Sequence, residues 1–90
     1  MGSFYDCMKW HWEEMVDFHL KQLTSDATFF IAYRKKEDPP LFMQTSLHKY
    51  ISKDLPLTCL NARIFCPDKV LELEARIEEV KEIVYPLRVI

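Results

Sequence analysis

Glycine is nearly missing from this 90-residue chain: Gly2 is the only one. Loops that cradle phosphates need glycine, because the backbone must take unusual dihedrals and approach the ligand closely. Walker-type loops, dinucleotide fingerprints, kinase lids, nucleophile elbows and KH-type clamps are therefore excluded. Glycine helix caps and glycine-bearing hairpin turns go with them, which leaves Pro, Asp and Ser to make the turns. No window approaches the roughly 18 consecutive apolar residues of a membrane span, so no membrane partner is expected. Paired cysteines are also lacking. Cys7, Cys59 and Cys66 are odd in number and widely spaced, and no basic start with an apolar run precedes them. Reduced thiols in a cytoplasmic, intracellular protein are the plain expectation. Excess positive charge is absent too. The net charge of −2 excludes a strongly basic nucleic-acid binder.

Apolar residues, by contrast, are abundant. Hydrophobic side chains make up 49% of the chain and aromatics 13%, which suits a single domain over residues 1–90 with a rich core. Met1–Ser3 are consistent with a cloning scar. A supply this large exceeds what one small domain hides, and so favours a homodimer. Charge is uneven along the chain. Residues 1–33 hold two lysines against five acids, whereas residues 34–63 hold six basic residues against three acids.

Ser3 followed by Asp6 fits a capping box, opening a helix that runs to about Leu23 and stops in Thr24–Asp26. Residues 27–34, ATFFIAYR, read as a strand from their aromatic and branched content. KKEDPP (35–40) is a charged turn, and LFMQTS (41–46) its return strand. Residues 46–54 suggest a short helix, with Leu47, Tyr50 and Ile51 at helical spacing. LTCLNARIFC (57–66) alternates, placing Leu60, Ala62, Ile64 and Cys66 toward a core and Asn61 and Arg63 outward. Pro67-Asp68, with Asp68 as N-cap, opens a second long helix to about Val84, since Pro86 disfavours helical dihedrals before itself. Val70, Leu73, Ile77, Val80 and Val84 form its seam, within about 80° of one another. Residues 87–90 complete the pattern as a final strand. The predicted fold is α+β: a small mixed or antiparallel sheet of about four strands with two main helices on one face, in the order α-β-β-(short α)-β-α-β.

The densest cluster of chemistry is CMKWHWEEMVDFH (7–19). On a helical wheel, Met8, Trp12, Met15, Val16, His19, Leu20 and Leu23 share one apolar arc with Phe4 and Tyr5, and His19 reads as a core histidine with one partner. Cys7 and His11, four apart, could meet on one face, but zinc asks for three or four ligands and no CxxC, HxxxH or HExxH pattern supplies them. No metal or cofactor is expected. Trp10 is the anomaly, lying among Asp6, Glu13 and Asp17 on the face that should be wet. Tryptophan is enriched among interface anchors. Leu71 and Ile83 lie off the second helix seam, where they either rest against a neighbour within the fold or mark a self-association surface.

The favoured function is a non-enzymatic protein-interaction or regulatory module that binds itself or another protein. Small motif-free chains of this kind include adaptors and virus- or phage-encoded antagonists. Trp10, Asp6, Glu13, Asp17, Leu71 and Ile83 would line its interfaces. The alternative is an RNA or single-stranded nucleic-acid binder. It would stack bases on Phe29, Phe30 and Tyr33 of a sheet and hold phosphates with Arg34, Lys35, Lys36, Lys49 and Lys53. A small thiol- or metal-dependent enzyme is the third, least favoured reading, because Cys7 lies among acids that disfavour a thiolate.

Overall fold

The computed structural model describes residues 3–37 and 39–85, and every regular element among them is helical. Helix α1 spans Phe4–Arg34, α2 Leu41–Lys49, α3 Leu55–Ala62 and α4 Pro67–Val84, with a π-helical turn, Tyr50–Asp54, joining α2 to α3. The α+β expectation is therefore corrected: the segments 27–34, 41–46 and 57–66 that read as strands are helical or helix-flanking turns. The remaining expected strand, 87–90, lies outside the described residues.

Helix α1 begins as expected. Ser3 Oγ accepts from the Asp6 amide at 3.1 Å and Asp6 accepts from the Ser3 amide at 3.3 Å, closing the capping box. It does not stop at Leu23. The hydroxyls of Thr24 and Thr28 donate to the carbonyls of Leu20 and Thr24, and Gln22 Nε2 donates to Asp26 Oδ1. These residues, usually turn formers, are satisfied inside the helix instead. Meanwhile Val16, Leu23, Ala27 and Phe30 are buried, with Leu20 packed against them, a stripe that crosses the Thr-Ser-Asp stretch without a break. The buried side is thus centred on Val16 and Leu23. Phe4, at the edge of the expected arc, and Tyr5, near its middle but in the first turn of α1, are both exposed.

The turn at Lys35–Glu37 closes on the carbonyls of Ile31 and Tyr33. Pro39 is buried, and Pro40 precedes α2, where its missing N–H costs nothing. From there a central rod descends along α1, burying Leu47, Ile51, Leu55 and Cys59 at steps of four, then Ala62. Each step of four overshoots an ideal α-helical turn by about 40°. The wider π turn absorbs that drift and keeps the row on one face. It also precedes Pro56, whose ring would crowd the carbonyl four residues back in a regular helix. Leu60 and Ile64, expected in the core, are exposed, because burial follows helical rather than alternating spacing.

Helix α4 starts with Cys66 in the N-cap position and Pro67 at the first turn, so Asp68 sits inside the helix rather than capping it. Its buried residues are Val70, Leu73, Ile77, Val80 and Val84, the expected seam. Helix α4 runs parallel to α1. Lys69 Nζ donates to both carboxylate oxygens of Asp17 at 2.9 and 2.7 Å, and seven residues along each helix Arg76 donates to Thr24 Oγ1. The central rod runs the other way, from Phe42 beside Phe29 to Phe65 against Tyr5. The result is an up–down–up bundle of 56 × 20 × 18 Å, one helix-pair thick. Its slenderness leaves much apolar surface uncovered.

Candidate functional site: an aromatic groove between α1 and α2

A groove of about 500 Å³ lies open between α1 and α2. Buried Phe30 and Leu47 form its floor. Its rim is three phenylalanines, Phe18, Phe29 and Phe42, which are 58%, 56% and 72% exposed. Phe18 and Phe29 stand on α1 beside the core stripe, and Phe42 rises from the first turn of α2 directly after the two prolines. Exposed aromatics converging on one concave surface differ from singly scattered apolar residues, which are ordinary.

One wall of the groove is polar. His19 Nδ1 and Tyr50 Oη lie 2.5 Å apart. Burial, helped by the nearby charges of Asp26 and Asp54, pushes the Tyr50 phenol up to about 12. Burial lowers His19 below its ordinary 6.5. Near neutral pH the phenol is therefore protonated and the imidazole neutral. A phenol held this far from ionising is not a nucleophile. The pair acts as an uncharged, hydrogen-bonded wall. Beside it Gln22 Nε2 donates to Asp26 Oδ1 at 2.9 Å. Among the described residues that line the groove, Asp26 is the one charged group. The surface these residues offer is thus largely aromatic and aliphatic, with the negative charge of Asp26 beside it.

The residues singled out in the sequence are dispersed. Trp10 is 65% exposed. Of the acids near it, Asp6 is committed to the N-cap, Asp17 to Lys69, and Glu13 is half-buried. Leu71 is 65% exposed, whereas Ile83 packs against the core. Arg34 donates to the Ile83 carbonyl at 3.0 Å and stands over the Phe30 ring. Lys35 and Lys36 are exposed in the turn after α1, Lys49 at the end of α2 and Lys53 in the π turn. The stacking platform expected of Phe29, Phe30 and Tyr33 does not form, because on a helix Phe30 turns into the core.

Cys7 and His11 are both exposed. Among the described residues no group of three or more His, Cys, Asp and Glu side chains is placed to hold a metal. All three thiols are free, and burial raises the pKa of both Cys59 and Cys66, opposing a thiolate at either. Among the described residues no helix is long and apolar enough to cross a membrane.

The groove residues were not legible as a group in the sequence, where Phe29 and Phe42 fell on separate strands. Their signal was Phe18, Gln22 and Phe29 on one helical face, visible only once α1 is continued past Asp26. No family model matches the chain, and no curated protein or solved structure matches it.

Proposed function

We propose that the protein is a non-enzymatic protein–protein interaction module, an adaptor or regulator, whose groove between α1 and α2 takes a basic amphipathic helix of a partner protein. The observation that carries this reading is the convergence of Phe18, Phe29 and Phe42 around a floor of Phe30 and Leu47. A trough walled by two antiparallel helices accepts a third helix by its apolar anchors at i, i+3 or i+4, and i+7. Asp26, the negative charge in the trough, favours an occupant carrying Lys or Arg, and the surrounding aromatic faces favour cations as well. The unionised Tyr50–His19 pair, and the burial that raises the thiol pKa at Cys59 and Cys66, support a binding rather than a catalytic role. Separately buried free cysteines suit a reducing, cytoplasmic setting.

The test is a fluorescence-anisotropy titration with designed amphipathic helical peptides, one basic and one acidic on the polar face. Saturable binding of the basic peptide, weakened at least about tenfold by Phe42→Asp and less by Asp26→Asn, supports the reading. Failure of both peptides to saturate, or indifference to Phe42→Asp, overturns it.

A further inference from the structure

Away from the groove, the outer face of α1 is uncovered from end to end. Cys7, Trp10, Glu14, Phe18, Lys21, Ser25 and Thr28 follow one another at steps of three or four and all are exposed. Such a row is one straight helical stripe about 31 Å long. It carries two aromatic side chains, Trp10 and Phe18, and two charges of opposite sign. Glu14 and Lys21 are two turns apart, too distant to pair along their own helix, and neither has an ion-pair partner among the described residues. The order of these residues is close to palindromic in chemistry. Turned end over end about a point between Asp17 and Phe18, the stripe sets Glu14 opposite Lys21, Trp10 opposite Ser25, and Cys7 opposite Thr28.

We propose that two copies of the chain pair through this face, α1 antiparallel to α1, about a twofold axis beside Phe18. The symmetric pairing forms two Glu14–Lys21 ion pairs, one on each side of the axis, as an isologous interface requires. The two Phe18 side chains meet at the axis, and each Trp10 packs over the small Ser25 of the other copy, which leaves room for the indole. Parallel pairing sets Glu14 against Glu14 and Lys21 against Lys21, so charge selects the antiparallel arrangement. Trp10, the large apolar residue on the charged side of α1, is thereby covered. This inference rests on the interaction-module reading and names a second copy as one partner, on a face next to the groove with which it shares only Phe18.

Sedimentation equilibrium of the full chain, run over a wide concentration range, provides the test. The wild type is expected to dimerise. Glu14→Lys and Lys21→Glu each convert both attractive pairs into repulsive ones and should raise the dimer dissociation constant at least about tenfold. The double reversal restores complementarity and should restore the dimer. Helical circular dichroism is expected to stay unchanged in all of them, since both side chains are exposed. A short bis-maleimide then reads the orientation. The antiparallel axis puts the two Cys7 thiols about 31 Å apart, so the wild type should not cross-link, whereas Thr28→Cys should. Cross-linking of the wild type through Cys7, a strictly monomeric wild type, or single reversals that leave dimerisation unchanged each overturn the proposal. Peptide binding in the groove is read separately with Phe42→Asp, so a monomer that still binds the basic peptide refutes the dimer alone.

Discussion

His19 Nδ1 and Tyr50 Oη are hydrogen-bonded across 2.5 Å, fastening the π turn of the central rod to the middle of α1 beside the groove. Burial disfavours the charged imidazolium and lowers the His19 pKa from 6.5. The unfolded chain then takes up a proton at His19 at higher pH than the folded chain does. The stability contributed by neutral His19 is fully present above about pH 6.5 and is lost as pH falls through that value toward the lower folded pKa. Urea midpoints should therefore fall more steeply from about pH 7.5 to about pH 5 in the wild type than in His19→Gln. The difference between the two proteins isolates this group from the carboxylates. Parallel curves would contradict the assignment.

Phe29 and Phe30 are neighbours with opposite fates, one 56% exposed and the other 1%. Phe30→Ala should cost about 3–5 kcal/mol, enough to unfold much of a domain this small, since it opens a cavity beneath the groove. Phe29→Ala should cost less than about 1 kcal/mol. Chemical denaturation of the two variants measures the contrast.

The sequence already contained the helical pattern that overturned the sheet. Val16, Leu20, Leu23, Ala27 and Phe30 keep a strict three-four rhythm, but their setting of Thr, Phe and Ile carries strand propensity, and Thr24-Ser25-Asp26 resembles a stop. Tertiary burial outweighed both, since propensity is worth a few tenths of a kcal/mol per residue and each buried side chain about 1.5–3 kcal/mol. Leu47, Ile51, Leu55 and Cys59 were harder still to recognise. Steps of four drift off one face of an ideal helix, and only the π turn realigns them. Where neither obstacle arose, as in the seam Val70–Val84 and the Ser3–Asp6 capping box, spacing alone located the element. The groove needed two such misread helices side by side, so it could not be assembled from the sequence.

The ion pair between Lys69 and Asp17 joins α4 to α1 in their parallel arrangement, and its hydrogen bond holds the ammonium above its usual pKa. Both side chains remain about a third or more exposed, at 35% and 44%, so the pair contributes only modestly. A double-mutant cycle with Asp17→Asn and Lys69→Met should give a coupling of about 0.2–1 kcal/mol that shrinks in 1 M salt. A salt-independent coupling would show that the pair is not solvent-screened as the structure has it.

Thiol accessibility follows from packing. Cys7 is exposed, while Cys59 and Cys66 are buried. A colorimetric thiol reagent should titrate one cysteine rapidly in the native protein and all three in denaturant. Rapid native reaction of more than one would contradict the packing of the central rod.

The claim on which the functional reading stands is that the trough between α1 and α2 is the docking site, and amide chemical-shift mapping with the basic amphipathic peptide tests it directly. The largest shifts are expected at Phe18, Gln22, Phe29, Phe42 and Tyr50, while the exposed Leu71 of α4 stays unmoved. Shifts centred on α4, or none at saturating peptide, would contradict it.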